Sequence, residues 1–141
     1  MPGVETYLTF HGNCADAVRF YEKTIPNTKV EFIMTHGESP MADRAPADFK
    51  DKVMHCSLTI DGERLMASDN MPGQPNEGMH GFTLSLSYPT VAEGETIFAA
   101  LAEGGRVIMP MQDTFWVERW GSVVDKFGTP WMVNAGQSRM A

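Results

Sequence analysis

Side chains able to do chemistry are few in this sequence, and none of them falls into a catalytic spacing. His11, His36, His55 and His80 are scattered, with no H-x-H or H-x-x-x-H pair to bring two imidazoles to one ion, so a His-based metal centre is not expected. His11 ends a strand-like run and reads as a turn residue, and His36 and His80 fall in polar loops, where they should be solvated. His55 alone lies in an alternating run that can aim it at a ligand. Cys14 and Cys56 form no motif and are expected as a reduced pair of small buried hydrophobes rather than a disulfide, although a helix start, where Cys14 stands, can lower a thiol pKa. Asp69 closes a strand as a turn-capping carboxylate, and Asp125 and Lys126 flank a glycine turn, so all three read as structural. There is no paired-carboxylate motif and no Gly-rich phosphate cradle, because a helical run separates Gly94 from Gly104 and Gly105.

What remains is recognition by rings. Residues 112–134, QDTFWVERWGSVVDKFGTPWMVN, hold all three tryptophans, at 116, 120 and 131, with Phe115 and Phe127. Aromatics this dense carry large apolar area that a core, a ligand or a partner must bury. Gly121–Asp125 and Trp131–Asn134 read as a hairpin whose K-F-G-T-P turn needs Gly128. Ahead of it, Thr114, Phe115, Trp116, Arg119 and Trp120 are expected to form a ligand wall, a subunit interface or both at once.

The composition bounds the classes of partner. With 141 residues, 43% hydrophobic and 21% charged, the chain is one globular domain or two fused half-domains. A formal charge of −7, without a basic run, argues against nucleic acid. No apolar segment reaches the roughly 20 residues that cross a bilayer, and M-P-G-V-E-T does not resemble a signal sequence. A cytoplasmic protein with no membrane partner is the expectation.

The elements that must position these residues repeat. A strand at 5–10 precedes a helix at 14–24, then strands at 30–35, 53–60 and 64–68, the last two joined by the hairpin dipeptide Asp61-Gly62. A strand at 82–88, a helix at 91–103, a strand at 106–109 and the aromatic hairpin repeat the order β-α-β-β-β. A slide of 78 residues lays Leu8 on Leu86 and Phe20 on Phe98; one of 66 lays Gly62 on Gly128 and Met66 on Met132. The difference of 12 falls in the loop 36–52, where insertions cost least. The modules are placed at about 4–70 and 81–136.

Alternation assigns the faces. Leu8, Phe10, Cys56, Leu58, Ile60, Leu84, Leu86 and Tyr88 should pack on the helices. The opposite face carries Tyr7, Thr9, His55, Met66, Ser68, Thr83, Ser85, Met132 and Asn134, soft and polar groups of the kind that line a small-molecule cup.

Y-L-T-F-H-G-N-C-A-D-A-V-R-F-Y (7–21), L-M-A-S-D (65–69), G-F-T-L-S-L (81–86) and T-F-W…D-K-F-G-T-P-W-M-V-N (114–134) resemble the PhnB-like branch of the vicinal oxygen chelate superfamily, which includes glyoxalase I, ring-cleaving dioxygenases and bleomycin-resistance proteins. The resemblance implies an α+β fold of paired βαβββ modules, with mixed sheets forming a cup and helices outside, and commonly a homodimer. Enzymes of that superfamily hold a metal through one residue on the first and one on the last strand of each module. The matching positions here are Glu5, Met66, Thr83 and Met132, which as a set would not hold a hard or borderline divalent ion. The branch has also been labelled demethylubiquinone methyltransferase, but the chain lacks the Gly-rich first turn of a methyl-donor α/β sheet.

The expectation is a small-molecule-binding protein without resident metal or cofactor. Its ligand would meet Tyr7, Thr9, His55, Met66, Thr83, Ser85, Phe115, Trp116, Trp120 and Met132. The alternatives are a metal-dependent lyase or dioxygenase, and a structural or interaction module.

Overall fold

Two turns show how local chemistry sets the strands. Asp61 and Gly62 both adopt positive φ, 50° and 86°, as a two-residue turn matched to strand twist requires. They join β3 (Val53–Ile60) to β4 (Glu63–Asp69). Gly128, at φ 92°, closes the turn between β7 (Val117–Val124) and β8 (Pro130–Ser138). There Asp125 accepts from Phe127 N at 2.8 Å, Thr129 N at 3.1 Å and Trp131 Nε1 at 2.9 Å, so one carboxylate ties the turn to the tryptophan beyond it.

The computed structural model describes residues 3–140. They form β1 (Thr6–Phe10), α1 (Cys14–Thr24), β2 (Thr28–Thr35), two short 3-10 turns at Ala42–Arg44 and Ala47–Phe49, then β3 and β4. The second half contains β5 (Leu84–Tyr88), α2 (Val91–Ala102), β6 (Arg106–Gln112), β7 and β8. The chain is α+β and divides into two compact units, Met1–Gly78 and Met79–Ala141, called modules one and two below.

Each module is one βαβββ unit with a mixed sheet, ordered β1-β4-β3-β2 in the first and β5-β8-β7-β6 in the second. The parallel pair of module one aligns Thr6 with Leu65, and that of module two aligns Leu84 with Trp131. Thr6 to Leu84 is a shift of 78 and Leu65 to Trp131 a shift of 66, the two offsets of the sequence repeat.

In module one Cys14, Ala17, Val18 and Tyr21 of α1 are buried, as are Leu8, Phe10, Leu58 and Ala67 of the sheet. In module two Ile97, Phe98 and Leu101 of α2 are buried, as are Val123, Trp131 and Val133 of the sheet. Burial of each large apolar side chain contributes about 1.5–3 kcal/mol. The alternation of β5 is weaker than expected: Leu84, Leu86 and Tyr88 are only half-buried, since α2 lies chiefly over β8 and β7.

Several boundaries differ from the sequence reading. Strand β7 begins at Val117, not Gly121, so Trp120 stands on a strand and the loop before it is only 113–116. Gly121 does not open the strand but lies buried inside it, where a Cβ would come within 2.8 Å of both Met111 Sδ and Phe98 Cε2. Strand β6 continues through Pro110 to Gln112, which a sheet edge tolerates because the missing N–H has no ladder partner. Strand β5 starts at Leu84, which leaves Phe82 and Thr83 in the preceding segment.

Candidate functional site

In module one the expected site residues share a sheet face. Pairing sets Tyr7 beside Met66 and Met66 beside Ser57, with Thr9 next to Ser68 one step along. The Tyr7 hydroxyl lies 3.1 Å from His55 Nδ1, and the two rings stack at 5.7 Å between centroids. Phe32 of the edge strand meets the same imidazole at 5.5 Å. Tyr7 is 47% exposed, so this is an open aromatic platform. The neighbouring part of the face is ionic: Ser57 donates to Glu31 at 2.8 Å, and Arg64 Nε lies 3.8 Å from carboxylate oxygens of both Glu31 and Glu5.

In module two Ser85 pairs with Met132 and Trp120 with Asn134, whose amide donates to Ser85 Oγ at 3.0 Å. Trp116 packs edge-on against Trp120 at 5.7 Å and against Phe115 at 5.1 Å. Phe115 is 76% exposed and Thr83 is exposed ahead of β5. Arg119 is tied to helix α2 by a 3.2 Å bond from its Nε to Glu95.

The superfamily's metal set does not fit these residues. Glu5 lies against Arg64, Met66 and Met132 offer thioethers, and Thr83 offers a hydroxyl. A shifted register does not improve the set, since Met66 and Met132 pair with Tyr7 and Ser85. Among the described residues no three His, Cys, Asp or Glu side chains converge as a metal site.

The cysteines meet in the core. Cys14 Sγ lies 3.7 Å from Cys56 Sγ, and both thiols are free and buried. The hydrogen bond to Cys56, burial and the nearby Asp69 carboxylate push the Cys14 thiol above its ordinary range, the reverse of activation by a helix start. Asp69 itself is buried and structural, as expected. Its Oδ1 accepts from Gly12 N at 2.9 Å and Cys14 N at 3.0 Å, and its Oδ2 accepts from Val53 N at 2.8 Å. It caps α1 from the end of β4, whereas Asn13, the residue before the helix, makes no side-chain cap bond.

A cavity of about 660 Å³ opens in module one beside this carboxylate. Its floor is the end of the sheet, with Thr9, Ser68 and Met54, and its walls come from the loops 36–52 and 69–74. Met41, Met54, Met71 and Phe49 supply soft apolar surface, and His36, Arg44 and Ser68 supply polar groups. Met54 reaches the cavity through a bulge: Met34 pairs with His55 and Thr35 with Val53, so Met54 is the extra residue that re-aims the strand. Of the ten residues expected to meet a ligand, Thr9 alone lines this cavity. His36 is not the solvated loop residue expected, because its Nε2 is buried and its ring packs on Phe49 at 5.2 Å. The sequence reading took the 12-residue excess of module one in the loop 36–52 only as a tolerated insertion, since a length difference has no periodicity to mark a site.

Comparison with known proteins agrees with the topology. Residues 2–134 match the family model described as 3-demethylubiquinone-9 3-methyltransferase. Protein YjdN of Escherichia coli is 38% identical over 136 residues, covering 91% of each chain. The crystal structure of protein PA1353 from Pseudomonas aeruginosa is 43% identical, covers 97% of this chain and 99% of its own, and superposes with a TM-score of 0.87. A Bacillus cereus protein described as a putative 3-demethylubiquinone-9 3-methyltransferase, PhnB protein, shares 22% identity at a TM-score of 0.81, covering 96% and 100%. A glyoxylase/bleomycin resistance protein/dioxygenase domain from Frankia sp. shares the fold at 15% identity and a TM-score of 0.64, covering 97% and 99%. The chain therefore belongs to the PhnB-like family carried under the 3-demethylubiquinone-9 3-methyltransferase description, built on the glyoxalase/bleomycin-resistance fold.

Proposed function

We propose that this protein binds a small organic molecule in the module-one cavity, without a resident metal or cofactor. The observation that carries the reading is the cavity itself. About 660 Å³ lies within the range of small-molecule sites, and its walls combine thioethers and a phenyl ring with a few polar groups. The methyltransferase description does not enter the proposal, because neither mixed sheet has the doubly wound parallel order that presents a methyl donor. Nor does lyase or dioxygenase chemistry enter it, given the donor set at the superfamily's metal positions.

Pairing of two copies belongs to the same reading. Its support is edge strand β6, where Val107, Ile108 and Met109 are 46%, 46% and 43% exposed, an apolar stripe that a monomer rarely shows to water.

Fluorescence of N-phenyl-1-naphthylamine, an uncharged flat probe, tests the site. Binding should be lost in Met54→Trp, which fills the cavity, and retained in Trp116→Ala. The opposite result would move the ligand to the aromatic face of module two. Metal analysis of untagged protein should find less than stoichiometric divalent ion, and sedimentation should show a dimer that Ile108→Asp dissociates.

A further inference from the structure

We propose that the ligand of the module-one cavity is an aromatic anion, with its ring body on the methionines and Phe49 and its acidic group between Arg44 and His36. This inference rests on the cavity reading and adds the chemical class of what fills it.

The argument is one of unmet polar groups. Asp69 lines the cavity, yet both its carboxylate oxygens already accept backbone N–H groups. Gln74 accepts from Met71 N, and the Asn70 amide lies against His11. Four other lining groups have no such partner: Arg44 forms no ion pair, and the Thr9 and Ser68 hydroxyls form no hydrogen bond, among the described residues. The fourth is His36 Nε2, which is buried and has no hydrogen-bond partner. A buried nitrogen left this way is destabilising unless a ligand or water satisfies it.

Thr9 and Arg44 are exposed and Ser68 half-buried, so water can meet them, but all three can donate, as can the buried His36 Nε2, and the group this lining suits is acceptor-rich. The guanidinium makes it an anion, since a planar fork matches a carboxylate or sulfonate. Asp43, Asp48 and Asp51 stand on the same loop but none of them lines the cavity. The remaining surface, Met41, Met54, Met71 and Phe49, suits a flat apolar body, because thioethers adapt to rings and pack against their edges.

A matched pair of probes tests this: 8-anilino-1-naphthalenesulfonate, which is anionic, and N-phenyl-1-naphthylamine, the same ring skeleton without the sulfonate. The native protein should bind the anion more tightly. Arg44→Gln should weaken the anion about tenfold or more and leave the neutral probe unchanged, as loss of one charge-assisted hydrogen bond requires. His36→Phe keeps a ring against Phe49 and removes Nε2; it should weaken the anion while the urea midpoint stays level or rises. A merely structural histidine would instead lower that midpoint. Equal affinity for both probes, or an Arg44→Gln variant that affects neither, overturns the anion assignment and leaves the cavity reading standing. Failure of both probes to bind native protein overturns both.

Discussion

Module two caps its helix from its own sequence. Thr90 accepts from Glu93 N at 3.2 Å and donates to the Glu93 carboxylate at 3.0 Å, and the helix then lies so close to the sheet that a Cβ on Gly94 would meet that of Ala135 at 2.3 Å. In module one the residue before the helix is Asn13, and its side chain makes no cap bond. Asp69, in the strand place that Ala135 fills in module two, reaches across to hold the α1 start and the first residue of β3. One topology thus carries a locally closed helix in one copy and a helix start fastened to the sheet in the other. The fastened end is also where the longer loop leaves room for a cavity. The lesson is that two copies of one topology can cap their helices differently, and the copy capped from the sheet is the one that carries the cavity.

The largest test of this contrast is Asp69→Ala. It leaves three backbone N–H groups without their acceptor, two of them buried, and should cost at least about 3 kcal/mol in urea unfolding. A loss no greater than that of a surface cap would end the distinction between the modules. Next comes Gly94→Ala, where overpacking against Ala135 should cost about 1–3 kcal/mol, part of it recovered by Ala135→Gly in the same chain. The module-one counterpart, Asp16→Ala, changes an exposed residue and should stay within about 0.5 kcal/mol. Thr90→Ala removes the local cap and should cost about 1 kcal/mol, with fraying confined to the start of α2 in amide exchange.

The smallest effect is a pH dependence in module one. Half-buried Glu22 accepts from Val30 N at 2.7 Å, and that bond, with Arg19 beside it, holds its pKa below the ordinary 4.5. A carboxyl depressed on folding contributes stability that is complete above its unfolded pKa and is lost as the pH falls through the folded value. Glu22→Gln should therefore flatten the stability curve below about pH 4.5 and leave it nearly parallel to the native curve at neutral pH.

Much of the fold was legible because its signals are local. The Asp61-Gly62 dipeptide fixed a turn by its φ preference, and the offsets of 78 and 66 proved to be the register of the parallel strands. The readings that failed turn on what lies across space from a residue. Gly121 reads as a strand start until Met111 and Phe98 are found against it. Pro110 reads as a strand end until β6 proves to be a sheet edge. The ring cluster of Phe115, Trp116 and Trp120 was visible as a cluster, and so was the platform of Tyr7 and His55 as a shared face.

The sequence by itself determined the repeat, the hairpin turns and the residue types at the superfamily's metal positions, because each depends on residue type at short or regular spacing. Only the tertiary structure decided that Cys14 touches Cys56, that Asp69 caps a helix 55 residues away, and that the loops 36–52 and 69–74 enclose a cavity with an unsatisfied His36 nitrogen. Those are contacts between distant segments with no period to announce them, and they exist only once the sheet has brought the strand ends together.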